Sequence, residues 1–374
     1  MPDRPAVNDW LPAHQDHLLY TLAHADESIE KACSVIYDYV RADPLRLEGR
    51  IREGREQVIL SSIAPIPQSV PRDAANAINE LRNALEHALS SEVEHLMGRS
   101  LELAEAKAIE MPIPKGSAEL ARWFKDKRRG TLTVLHADGT LGKRIAELQP
   151  PFGTDEDAVH PLRVLTEHSN LSKHRKPAEY ALRLGRIVPD FDVDGLEAAV
   201  YADDTPMRAG DVLASVPRGT NLPMDIWPHV GIRRPHTGKW VVLSRELLML
   251  EAWVRTVALP VLIVGTSDVE PIPPHLDTSR AYGTHLEALS SAQPVPAAER
   301  LGLRLAGSVL REQLPYFFKL ALPDTPAAEV DQFVANLSDT RALEILQRFT
   351  NISQRGRGEK SAIIYLRRLF EAGN

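Results

Sequence analysis

Residues 73–98, DAANAINELRNALEHALSSEVEHLMG, constrain the fold of this chain more than any other stretch. It is the longest uninterrupted helical pattern in the sequence. At 100° per residue, Ala74, Ala77, Ile78, Leu81, Leu85, Ala88, Leu89 and Leu96 gather on one side. That stripe is wide enough to bury against a core. Asn76, Asn79, Glu80, Asn83, His87, Ser90 and Glu94 take the other side, with Arg82 at the seam. Asp73, just after Pro71, suits an N-cap, and Gly98 suits the stop.

Inside this helix lies Arg82-Asn83-Ala84-Leu85-Glu86-His87. Arg82 and His87 point about 140° apart on an ideal helix, whereas Asn83 and His87 share a face. The string resembles the motif of HEPN-domain proteins: Arg, a polar residue, three more residues, then His. Those proteins are helical bundles that often act as metal-independent ribonucleases, with toxin or defence roles. The resemblance implies that Arg82 stabilises the transition-state phosphate and His87 exchanges protons with the RNA 2′-hydroxyl, with Asn83 positioning the substrate. It implies RNA as partner, a homodimer that answers the 140° separation, and no metal or cofactor. The chemistry is sound, because a His near neutral pKa moves protons and an Arg neutralises phosphate. Residues 45–190, with this helix and a later one ending in Ser172-Lys173-His174-Arg175, also resemble a widespread group of bacterial proteins. That likeness brings no activity with it.

A second polar stripe follows at residues 156–174. His160, Arg163, Glu167, Asn170 and His174 recur at +3, +4, +3 and +4. They fall within an arc of about 80°. If this stripe faced Asn79, Asn83 and His87, the groups of Arg82, His87, Glu167 and His174 would surround one cavity. Arg163, Glu167, Asn170, Lys173 and His174 are then the candidate substrate-binding residues. The other reading is a solvated face, with residues 173–176 a charged helix end.

The flanking segments read in order. Residues 1–16 form an arm, and a helix runs from Asp26 to about residue 41. Residues 45–66 form a hairpin turning at Glu53-Gly54. A helix capped by Ser117 runs to about residue 129, and its tail is the densest basic cluster: Arg122, Lys125, Lys127, Arg128 and Arg129, with Trp123 and Phe124 inside it. A basic tail beside aromatics can bind phosphate and stack bases; the plainer reading is a charged helix end over core aromatics. Asp138 caps a helix to about residue 149. From Tyr180 the period shifts toward two, giving a small β-rich module to about residue 243, then a long apolar helix. Residues 265–296 are rich in Pro, Ser, Thr and Gly and read as a linker. The remainder is helical, at 297–321 with a kink at Pro315, then 325–336, 338–350 and 359–371. Phe317, Phe318, Phe333, Phe349 and Phe370 are spaced for a core. The loop at 354–360 is basic.

The expectation is a mainly α chain with a small β-rich module, of α+β class, helical at both ends. Its parts are a helical HEPN-like domain with a short hairpin at 1–179, a β-rich module plus long helix at 180–268, a linker at 269–295, and a C-terminal helical domain at 296–374. A length of 374 residues suits two or three domains. The net charge of −7 and the 6% aromatic content exclude a global basic or base-stacking surface, so RNA would need a local patch. The single Cys33 excludes an intramolecular disulfide and fits a reducing, cytoplasmic setting. The apolar run at 257–264 is too short to span a bilayer. His14 with His17, His136 with Asp138, and His229 with His236 lack a completing ligand, so no metal is expected. There is no P-loop, dinucleotide fingerprint, nucleophile elbow or HExxH motif. Two functions stay open: a metal-independent endoribonuclease, and a non-catalytic binding or assembly protein with a protein partner.

Overall fold

The structure is a computed structural model that describes residues 10–174, 178–189, 193–199, 205–220, 222–352 and 358–373. It is an α+β protein with two small antiparallel sheets. The chain divides into two compact units, Met1–Ala298 and Glu299–Asn374.

The first unit is organised on two long helices. α1 is His17–Arg41 and α2 is Ser69–Met97. Between them β1, Leu45–Arg52, and β2, Arg55–Ile63, form the expected hairpin. Its turn residues Glu53 and Gly54 both have positive φ, at 53° and 77°. Glycine meets that demand without steric cost. α2 begins earlier than the Asp73 cap expected from sequence. Pro71 sits in its first turn, where backbone N–H groups have no intrahelical acceptor and proline loses nothing.

α1 and α2 pack along their length. Ala74, Ala77, Ala84 and Ala88 are fully buried and let the helices approach closely. Leu81, Leu85 and Leu89 are also fully buried, each contributing about 1.5–3 kcal/mol. The apolar stripe read from the sequence is therefore the core face, although Leu96 at its end is exposed.

Shorter helices follow: α3, Leu103–Ala106; α4, Ser117–Phe124; α5, Thr140–Glu147; and α6, Pro161–His174. Two expected helices are shorter than the sequence suggested. α4 stops at Phe124, and Arg129 lies in a separate 3-10 turn, Lys127–Arg129. α6 starts at Pro161 after a 3-10 turn, Asp157–Val159, because proline fits a first helical position. Gly139, rather than Asp138, takes the N-cap position of α5. A Cβ on Gly142 of α5 would stand 1.8 Å from the His136 carbonyl oxygen. Gly142→Ala should therefore cost about 1–3 kcal/mol through overpacking, read as a lowered urea midpoint. An unchanged midpoint would show that this approach is not tight.

The strands then resume as β3, Tyr180–Pro189; β4, Glu197–Ala198; β5, Val212–Pro217; β6, Met224–Arg233; and β7, Trp240–Val242. One sheet has the order β1-β2-β5-β4, the other β3-β6-β7. The pairing of β2 with β5 sets Gln57 opposite Ser215 and Val58 opposite Ala214. This pairing corrects the expected boundary between 179 and 180. The hairpin and the β-rich module share one sheet, so 1–179 and 180–268 are one unit.

α7, Leu243–Trp253, continues through a π-helical turn, Val254–Ala258, into α8, Leu259–Val264. Pro260 offers no N–H to the carbonyl four residues back, and the widened turn absorbs that defect. The continuous rod Leu243–Val264 matches the long apolar helix expected after the β-rich module and is long and apolar enough to cross a membrane. Most of it is buried within the chain, as in a core helix.

The expected linker at 269–295 is a packed segment instead. The carbonyls of Pro273 and Pro274 accept hydrogen bonds from Arg255 at 3.0 and 2.9 Å. His275 pairs with Gln293 across a β-bridge, and α9, His285–Ser291, lies between them. Asp26, fully buried in α1, ties the segment down through His275 Nδ1 at 2.9 Å and the Ala297 N–H at 2.9 Å.

α10, Ala297–Ala321, α11, Ala327–Ala335, α12, Asp339–Ile352, and α13, Gly358–Gly373, complete the chain. α10 is continuous through Pro315. Leu314, Phe318, Val330, Ile345, Leu366 and Phe370 form the core of the second unit, and Phe317, Phe333 and Phe349 pack against it.

Candidate functional site

Arg82 is held on every side. Its Nη1 donates to Thr166 Oγ1 of α6 at 2.9 Å, and its Nη2 donates to the Met111 carbonyl at 2.6 Å. The same guanidinium pairs with Glu86 one turn along α2. Glu86 in turn accepts the Met111 N–H at 2.8 Å. Both backbone groups of Met111 are thus bracketed by one Arg–Glu pair. The Arg82 side chain keeps 12% of its exposure.

His87 lies on another side of α2 and is exposed. Its neighbour is His17 of α1, with ring centroids 6.1 Å apart. Burial, and next the His87 charge, push the His17 imidazole below its ordinary pKa. Asn83 is half-buried. The divergence of Arg82 and His87 required by ideal helix geometry is present in the folded chain.

Of the four groups expected around one cavity, Arg82 and His87 take different faces of α2, and the His174 side chain lies outside the described residues. α2 and α6 do meet through polar groups, the expected Asn79 and Arg82 on α2 but Thr166, Ser169 and Ser172 on α6. Asn79 Oδ1 accepts the hydroxyls of Ser169 at 2.9 Å and Ser172 at 3.2 Å, and Arg82 meets Thr166. Arg163, expected to touch substrate, is buried and bonds Asp157 at 3.1 Å and the Pro114 carbonyl at 2.8 Å. Glu167 is half-buried, while Asn170 and Lys173 are exposed. His174 closes α6, and its side chain lies outside the described residues. The His160 ring packs on Trp253, 5.7 Å between centroids, and burial lowers its pKa.

Of the basic cluster at residues 122–129, Arg122, Lys125, Lys127 and Arg128 are exposed and Arg129 is buried. Arg129 stacks 4.1 Å from the Trp123 ring and donates to the Ala108 and Trp123 carbonyls. Arg128 grips Asp126 and holds its carboxyl down at about 2. The Arg175-Lys176 pair and most of the basic loop at 354–360 fall outside the described residues.

Two arrangements are absent from the sequence reading. His14 stacks on His95 at 3.9 Å and meets buried Glu92 at 2.6 Å, with Gln15 also on Glu92 at 2.8 Å. The only sequence trace of this was a set of histidines in the arm and along α2. His168, Arg234 and Glu246 form a buried cluster from α6, the β6–β7 turn and α7. Arg234 grips Glu246 at 2.8 and 2.6 Å, and His168 stands at 3.4 Å. Among the described residues, no three His, Cys, Asp or Glu are arranged to hold a metal.

Fold and site together define an α+β protein whose central helix is the structural spine, with its Arg–His motif divided between two faces. No family model, curated protein or solved structure matches the chain.

Proposed function

We propose that this chain is a non-catalytic binding and assembly protein in which the Arg82–Glu86 pair is a structural clamp. The occupation of the Arg82 guanidinium by Glu86, Met111 and Thr166 carries this reading. A guanidinium that already satisfies three partners would have to abandon them to meet a phosphate. His87 lies on a different face of α2, away from the Arg82 guanidinium. We place the protein in the cytoplasm, a setting supported by its single, buried Cys33.

One observation favours the second reading, a metal-independent endoribonuclease of HEPN type. The exposed His87 and its neighbour His17 set two imidazoles within reach of one phosphodiester. A single experiment separates the two. The full chain is incubated with single-stranded RNA in the presence of a chelator, beside Arg82→Ala and His87→Ala. Intact RNA is expected throughout. Arg82→Ala should lose about 1–3 kcal/mol of stability, and His87→Ala should stay within about 0.5 kcal/mol of the parent. RNA cutting by the parent that both substitutions abolish would overturn the binding reading and establish the nuclease.

A further inference from the structure

A cavity of about 700 Å³ opens at the start of α2, between the segment leaving β2, the end of α6 and the start of β3. That size is typical of small-molecule sites, about 300–1,000 Å³. Arg72, Asn76 and Asn79 line it from α2, and Tyr180 lines it from β3. The +4 and +3 spacing puts the three α2 residues on one helical face.

These side chains have hydrogen-bonding capacity that the protein does not use. Among the described residues, Arg72, Asn76 and the Tyr180 hydroxyl make no hydrogen bond or ion pair. The Asn79 carbonyl oxygen already accepts two serine hydroxyls, which fixes its orientation. Its amide N–H groups remain for the cavity. Burial raises the Tyr180 pKa, so the phenol is held as an O–H donor. Arg72 and Asn76 are exposed and Tyr180 is half-buried, so this capacity is open to a ligand entering from solvent.

The charge of the lining selects the ligand. Arg72 is its one ionisable cation and no carboxylate faces it among the described residues. Ile66, Pro71 and Ala75 add apolar surface to the lining. We propose that this cavity binds a small organic oxyanion, a carboxylate or phosphate monoester on a compact apolar body. Arg72 meets the anion, while Asn76, Asn79 and Tyr180 donate around it. This deepens the binding reading and rests on it.

The test is calorimetric titration of the full chain with two anions, adenosine monophosphate and N-acetylphenylalanine, and their uncharged counterparts, adenosine and N-acetylphenylalaninamide. At least one anion should bind, at least about tenfold more tightly than its counterpart. The first anion binding alone assigns a phosphate site, the second alone a carboxylate site. Arg72→Gln should weaken binding by about tenfold or more, and Tyr180→Phe by a few-fold. Lys127→Ala, remote from this lining, should leave affinity unchanged. Circular dichroism of each variant confirms the fold. If neither anion binds, or binding survives Arg72→Gln at parental affinity, the oxyanion site is overturned. RNA cleavage in the nuclease assay overturns the binding reading itself, so the two failures are distinguishable.

Discussion

Arg255→Met is expected to destabilise the first unit by about 3–5 kcal/mol. Arg255 is 3% exposed and sits in the π-helical turn of the buried rod. Its guanidinium bonds Glu251 at 3.1 Å, the Leu22 carbonyl of α1 at 2.9 Å, and the Pro273 and Pro274 carbonyls. One side chain therefore joins the rod, α1 and the proline-rich segment. Methionine fills similar volume but leaves three carbonyls short of a donor and the fully buried Glu251 short of its cation. All five tryptophans, at positions 10, 123, 227, 240 and 253, fall before residue 299, so their fluorescence reports urea unfolding of this unit alone. Glu251→Leu added to Arg255→Met should recover part of the loss, because it removes a buried carboxylate that has lost its arginine. A loss below about 1 kcal/mol would show that the arginine is dispensable to the packing.

Arg234→Met should have a similar cost, about 3–5 kcal/mol at neutral pH, with a distinctive pH dependence. Glu246 is 2% exposed, and Arg234 is its bidentate partner. Burial alone would raise the carboxyl pKa. The hydrogen bonds from His168 and Arg234 outweigh it and hold the folded pKa below the ordinary 4.5. A lowered folded pKa contributes stability present above pH 4.5 and lost as pH falls through the folded value. Removing Arg234 leaves burial unopposed on that side, so the carboxyl rises and protonation relieves the variant. The difference between parent and Arg234→Met should therefore shrink as pH is lowered from 7 toward 4, read by urea unfolding at each pH. A constant difference across that range would mean that Glu246 does not change charge with its partner removed.

The parts of the structure legible in the sequence are those set by local spacing. The apolar residues of α2 name its buried face because a helix repeats every 3.6 residues, whatever surrounds it. Glu53-Gly54 marks its hairpin because glycine takes left-handed backbone without steric cost. The phenylalanines of residues 317–370 announce a core because each of the last four helices carries at least one large apolar ring. Even the separation of Arg82 from His87 follows from helix geometry before any partner is known.

The candidate site was less legible. Arg82 looked free to meet phosphate because its acceptors, Met111 and Thr166, lie 29 and 84 residues away. The proline-rich segment near 273 looked like a linker because its anchors, Asp26 and Arg255, lie elsewhere in the chain. The union of the hairpin with β5 crosses some 150 residues, and no strand carries the name of its neighbour.

By itself the sequence determined which segments become helices or strands and which faces of the main helices are apolar, since those depend on backbone geometry and solvent. Only the tertiary structure decided which polar side chains are consumed in holding helices together and which are left facing a cavity. Hydrogen bonds saturate, and an arginine's availability depends on what distant backbone folds against it.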